Sequence, residues 1–142
     1  MDPFKNRNMF FGTLLISLCF TLKAQSQNLG NGKKIYETRC LVCHQADGGG
    51  VPNMNAPLDG SSNVVGNDIA RLVKIIKNGF NEKVELDGLY YSNSMTPNPD
   101  FSAAQISDVL SYIRTSWSNK ASKVTVAQVQ QIIKSNYKTN LK

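Results

Sequence analysis

Cys40-Leu41-Val42-Cys43-His44 sets two thiols three positions apart, with an imidazole directly behind the second. Thiols at this spacing can add to the two vinyl groups of one haem, and the adjacent imidazole can then reach the iron at the ring centre. His44 is the one histidine of the chain, so no other imidazole can take that place. A structural zinc site would need four ligands, and these three residues would have to be completed by a carboxylate or water. A thioredoxin-like redox pair needs its C-x-x-C at the head of a helix that follows a strand, whereas here a helical pattern precedes the motif. The expectation is one covalently bound haem c, with Cys40 and Cys43 as thioether donors and His44 as axial iron ligand.

With no second histidine, bis-histidine ligation is excluded, and a thioether sulfur is the next natural partner for the iron. Met54 and Met95 are the methionines beyond residue 24. Met54 lies ten residues past His44 in the following loop, a tight reach round the ring edge. Met95 follows a helix and a hairpin and can approach the opposite face, so His44 and Met95 are the expected metal ligands. The competing arrangement is an open sixth site serving an enzyme or a gas-binding protein. A peroxidase-like site would want a distal base, and the single histidine is already committed. Electron transfer without substrate chemistry is therefore expected, and the chain is read as a carrier and not an enzyme.

These residues must be positioned by few elements. Gly32, Ile35 and Tyr36 lie at helical spacing, which predicts a helix over Leu29 to Arg39 ending at the cysteine motif. Gly48-Gly49-Gly50, Pro52, Pro57 and Gly60 predict a long loop from Asp47 to Ser62. Asn67 or Asp68 can cap a second helix whose stripe is Ile69, Leu72, Val73 and Ile76 and whose stop is Gly79. Val84 to Tyr90 alternates about Asp87-Gly88, a hairpin pattern, and Ser92 to Pro99 is irregular. Ser102 with Gln105 predicts a capping box for a third helix burying Ile106, Val109, Leu110, Ile113 and Trp117. Val126, Val129, Ile132, Ile133 and Tyr137 predict a fourth, amphipathic helix. Tyr36, Tyr112 and Trp117 are read as core residues in preference to an electron relay. So thin an apolar core needs a staple, and a buried haem would supply one.

Lys5 and Arg7 precede a fourteen-residue apolar run, Met9 to Leu22, closed by Lys23, Ala24 and Ser26. This reads as a secretory signal peptide over residues 1–24, cleaved near Ala24 or Ser26, which implies a periplasmic product. The run is short for a span of about 20 residues, so the membrane is reached only through a partner complex or an uncleaved signal. Cys19 would be lost with it, and Leu18 before it argues against lipidation. Residues 25–118 form the expected haem domain and hold eight basic and nine acidic side chains, while residues 119–142 hold five lysines and no acid. A basic tail on a nearly neutral body gives no case for nucleic-acid binding. Lys33, Lys34, Lys74, Lys77 and Lys83 are read as solvated surface before a partner rim.

Gly32-Lys33-Lys34-Ile35-Tyr36, Cys40 to His44, Gly48 to Gly60, Met95 and Leu110-Ser111-Tyr112-Ile113-Arg114 together resemble a bacterial class I cytochrome c. The resemblance implies a mainly α class I cytochrome c fold: three core helices around one haem, a short hairpin and an extra C-terminal helix. It implies that the first and last core helices cross through Gly32 and Tyr112, and that the Pro57 carbonyl accepts the His44 Nδ1 proton. It also implies one-electron exchange with redox protein partners, either as a free carrier or as a dedicated subunit of a dehydrogenase, nitrite reductase or oxidase. Thr96 stands where the family often has proline, with Pro97 one further on. The tail helix beyond Trp117 is an extension, read as covering the core in preference to docking a partner.

Overall fold

The computed structural model describes residues 28–139, with side chains to Ser135. The signal segment, Cys19 and the Tyr137 side chain lie outside the described residues. Helix α1 (Leu29–Ile35) starts at Asn28, whose side chain accepts the Asn31 N–H and so satisfies one free donor of the first turn. It does not stop at the cysteine motif. A π-helical turn over Tyr36–Cys40 carries the chain directly into α2 (Leu41–His44), and the Leu41 N–H reaches back to the Tyr36 carbonyl. Such an insertion re-phases the side chains beyond it, and here it lies immediately before the thiols. Thr38 Oγ1 donates to the carbonyls of Lys34 and Ile35, occupying acceptors where the ladder opens. Gln45, with φ +63°, ends the run.

A short helix α3 (Ser62–Val65), too brief to show a periodic pattern in the sequence, closes the long loop. Helix α4 (Ile69–Asn78) begins at Asp68, whose carboxylate accepts the Arg71 N–H, and ends at Gly79 as expected. The hairpin is β1 (Val84–Leu86) against β2 (Leu89–Tyr91), antiparallel, with Leu86 opposite Leu89 and Asp87-Gly88 at the turn. Helix α5 (Ala103–Thr115) carries the expected reciprocal capping box of Ser102 and Gln105. Trp117 falls outside it, with φ +54°, because Ser116 has already left helical geometry. Its indole N–H donates to the Ala46 carbonyl at 3.0 Å, two residues past His44. Helix α6 (Val126–Thr139) starts at Thr125, capped reciprocally with Gln128.

Helices α1 and α5 cross where Gly32 faces Asp108 and Tyr112. Core side chains from α1, α4, α5 and α6 meet in one cluster that includes Tyr36, Val73, Ile106, Val109 and Val129. The chain between α5 and α6 is part of that core. Val124 is buried, its carbonyl accepts from Ser107 and Ser111, and its N–H donates to Ser111 Oγ at 3.0 Å. Arg114 is also buried, and its guanidinium donates to the carbonyls of Val64, Gly66 and Ser122. A division at residue 118/119 therefore falls inside a hydrogen-bonded network. Among the described residues, no helix is long and apolar enough to cross a membrane.

Candidate functional site

The continuous α1–α2 path delivers Cys40, Cys43 and His44 to one wall of a cavity of about 350 Å³, a volume within the usual range of small-molecule sites. Both cysteines are free. Burial, opposed by the neighbouring Arg39 charge, pushes the Cys40 thiol up to about 11, so it remains a neutral thiol near pH 7. An unactivated thiol of this kind does not mark a nucleophilic redox cysteine. Burial also lowers the His44 pKa, while its bond to Ala56 acts in the opposite direction. The neutral ring is thus favoured, and its tautomer follows from the partner. A carbonyl oxygen can only accept, so Nδ1 carries the proton that it donates to Ala56 O at 2.9 Å, leaving Nε2 with a free lone pair.

This corrects the sequence-based expectation for Pro57, whose carbonyl is not the acceptor. The acceptor is the carbonyl one residue earlier. A residue before proline is steered to extended geometry, which holds the Ala56 carbonyl in place. Pro57 itself lines the cavity.

Met95 lines the same cavity and packs against the hydrophobic core. Its backbone is fixed to the end of α4: the Met95 N–H donates to Phe80 O at 2.7 Å and the Phe80 N–H returns to Met95 O at 3.0 Å. Pro97, in the position shifted by Thr96, abuts Gly79 and also lines the cavity. Met54 reaches the cavity as well, at its rim, with 49% of its surface exposed. The Asn93 N–H donates to the Met54 carbonyl at 3.1 Å, so the two methionine loops are joined. Sequence distance alone gave no sign of that proximity.

Behind the motif, Tyr36, Tyr112 and Trp117 form a cluster with ring centroids 5.3 to 6.0 Å apart. The Tyr36 hydroxyl donates to Gln45 O at 2.6 Å, and Trp117 holds Ala46. These aromatics clamp the chain leaving His44, a packing role in line with the sequence reading. Lys77 is not free surface: its ammonium donates to the carbonyls of Pro99 and Phe101. Two cavity-lining residues were not singled out from the sequence. Ser61 Oγ and Arg71 Nε are buried without a hydrogen-bond partner among the described residues. A serine and an arginine in ordinary loop and helix contexts carry no local signature of such a role.

Two thiols, one imidazole nitrogen with a free lone pair and a thioether around an apolar cavity make a donor set that fits haem c. Residues 29–117 match the cytochrome c family. The chain is 39% identical over 106 residues to the cytochrome c subunit of a quinone alcohol dehydrogenase from Gluconacetobacter polyoxogenes, and equally to that from Komagataeibacter europaeus. Each match covers 71% of this chain but 22% of the relative, so the chain spans about a fifth of the length of those proteins. Cytochrome c-552 of Thermus thermophilus is 31% identical over 90 residues, 61% of this chain and 68% of the relative. With the motif, the helix crossing and the cavity in agreement with these matches, the chain belongs to the cytochrome c family of electron carriers, whose haem c is covalently bound.

Proposed function

We propose that Cys40 and Cys43 form the thioether bonds, that His44 Nε2 and Met95 sulfur are the axial ligands, and that the protein passes single electrons between redox partners outside the cytoplasm. Bound there, haem c supplies a one-electron Fe(II)/Fe(III) couple. The observation that carries the reading is the His44 Nδ1–H bond to Ala56 at 2.9 Å, which leaves Nε2 as the donor atom beside both thiols. The same bond fixes the ring plane and raises the basicity of the coordinating nitrogen. Met95 offers a neutral sulfur, and its loop is held on α4 by two backbone bonds, so little reorganisation accompanies a change of iron charge. With both axial positions filled by the chain, substrate has no route to the metal.

The test is the ferric holoprotein and its Met95→Ala variant. The wild type should show the weak far-red charge-transfer band of sulfur-ligated haem, and the variant should lose it and fall in reduction potential. A variant that keeps both refutes Met95 as ligand. Export rests on the basic and then apolar segment before residue 25. N-terminal sequencing of the mature holoprotein should read Gln25 or Gln27 first, and Met1 would refute cleavage.

A second reading is favoured by the 39% identity to dehydrogenase cytochrome subunits: a dedicated subunit in place of a free carrier. Fractionation of native membranes separates the two. Stoichiometric co-purification with a dehydrogenase supports the subunit, and recovery solely as a small free protein supports the carrier.

A further inference from the structure

This inference rests on the haem reading above. If Cys40 and Cys43 hold the vinyl edge of the ring, its two propionate carboxylates lie on the edge opposite. The charged side chains at the cavity, besides His44, are Arg39, Arg71 and Glu82. Arg39 stands next to Cys40 and is already engaged, donating to Asn98 Oδ1 at 3.1 Å and pairing with Asp100 at 3.2 Å. Glu82 is exposed and pairs with neither arginine.

Arg71 differs. Among the described residues its guanidinium has no hydrogen bond and no ion pair, and its one neighbour of note is the Phe80 ring, 5.7 Å away. Its Nε is shut from solvent. Ser61 is 1% exposed, and its Oγ is also unpartnered. Buried polar atoms are nearly always paired, and a sheltered cation without an anion is costly. Among the described residues these are the two buried side-chain polar atoms left without a partner, and both residues line the same cavity, contributed by the start of α3 and by α4, whereas the thiols come from the π turn and α2. The buried Arg114, by contrast, donates to three carbonyls.

We propose that Arg71 and Ser61 hold a haem propionate, Arg71 as its counter-ion and Ser61 as a hydroxyl donor. The guanidinium fork matches a carboxylate, and its fixed positive charge offsets the propionate charge that would otherwise favour the ferric state. Both are positioning residues, acting on the couple through the carboxylate.

The experiment uses the haem-loaded protein. If the wild type carries no covalent haem or lacks the far-red band, the ligand reading fails first and this proposal with it. With both present, Arg71→Gln should lower the ferrous-to-ferric ratio at the wild-type midpoint about tenfold, equivalent to about 59 mV for one electron. It should also move the pH dependence of the potential upward, because the carboxylate loses the charge that favours its ionised form. Arg71→Lys should recover most of the potential, and Ser61→Ala should give a smaller fall. Unchanged potentials and pH profiles in Arg71→Gln and Ser61→Ala overturn the proposal while leaving the ligand set intact. Should Arg71→Gln fail to mature, a crystal structure of the wild-type holoprotein decides: a propionate oxygen within about 3.2 Å of Arg71 supports it, and propionates bonded elsewhere refute it.

Discussion

Gly32 of α1 lies against the carbonyl of Asp108 in α5, so close that a Cβ at residue 32 would stand 2.2 Å from that oxygen and 2.9 Å from Tyr112 Cβ. The obstacle is mostly backbone, which cannot swing aside as a side chain can. Gly32→Ala must therefore push the two helices apart, and Tyr36 and the thiols ride on the same helical path. The expected cost is about 3 kcal/mol, at the upper end of overpacking penalties. Urea unfolding of the holoprotein measures it, and a cost below about 1 kcal/mol would contradict the crossing.

Arg114 binds the carbonyls of Val64, Gly66 and Ser122, joining the end of α3 and the strap before α6 to α5. Arg114→Met keeps much of the volume but leaves buried acceptors without donors. At about 1 to 3 kcal/mol for each buried group left unsatisfied, a total loss of at least about 3 kcal/mol is expected in equilibrium unfolding. Arg114→Lys should recover only part of it, since an ammonium on a flexible stem does not reproduce the fork.

Local signals were the ones the sequence carried well. The Asp68 and Ser102 caps, the Gly79 stop, the Asp87-Gly88 turn, the apolar stripe of α4 and that of α5 as far as Ile113 stand where spacing put them, whereas Trp117 lies past the helix end. Features that depend on tertiary packing were not legible. The π turn begins at Tyr36, which is buried against Tyr112 and Trp117 and bonded to Gln45, and the helical path runs on through Cys40 where an ending was expected. Whether the His44 acceptor is Ala56 or Pro57 is a one-residue question of loop path. The Arg114 network depends on Gly66 and Ser122, 48 positions before it and eight after it, and no periodicity reveals such a link.

The segment after Trp117 should prove necessary for stability. Val124 and Val129 are almost wholly buried, at 1% and 0% exposure, and Val124 satisfies Ser107 and Ser111. Chain ending at Ser118 would lose both valines and uncover Arg114. At about 1.5 to 3 kcal/mol for each buried valine, this truncation should cost several kcal/mol, while ending at Ser135 should cost far less. Thermal unfolding of the two truncations checks the contrast. Equal melting temperatures would mean that α6 and the strap merely rest on the surface.

Asp59 gives a pH dependence of definite sign. Bonds from the Ser118 hydroxyl and N–H, the latter at 2.9 Å, hold its carboxylate below the ordinary value. The folded state thus binds this proton more weakly than the unfolded chain, so the stabilisation is fully present above the unfolded value of about 4 and is lost as pH falls through the lower folded value. Asp59→Asn keeps an oxygen acceptor for both Ser118 donors while removing the titration. Wild type should be the more stable of the two near pH 7, and the difference should shrink towards about pH 3. Asp59 is close to solvent, so salt will weaken the charge contribution while leaving its sign unchanged. Urea titrations at both pH values provide the check, and a gap that widens on acidification would mean that the Ser118 bonds do not favour the ionised carboxylate.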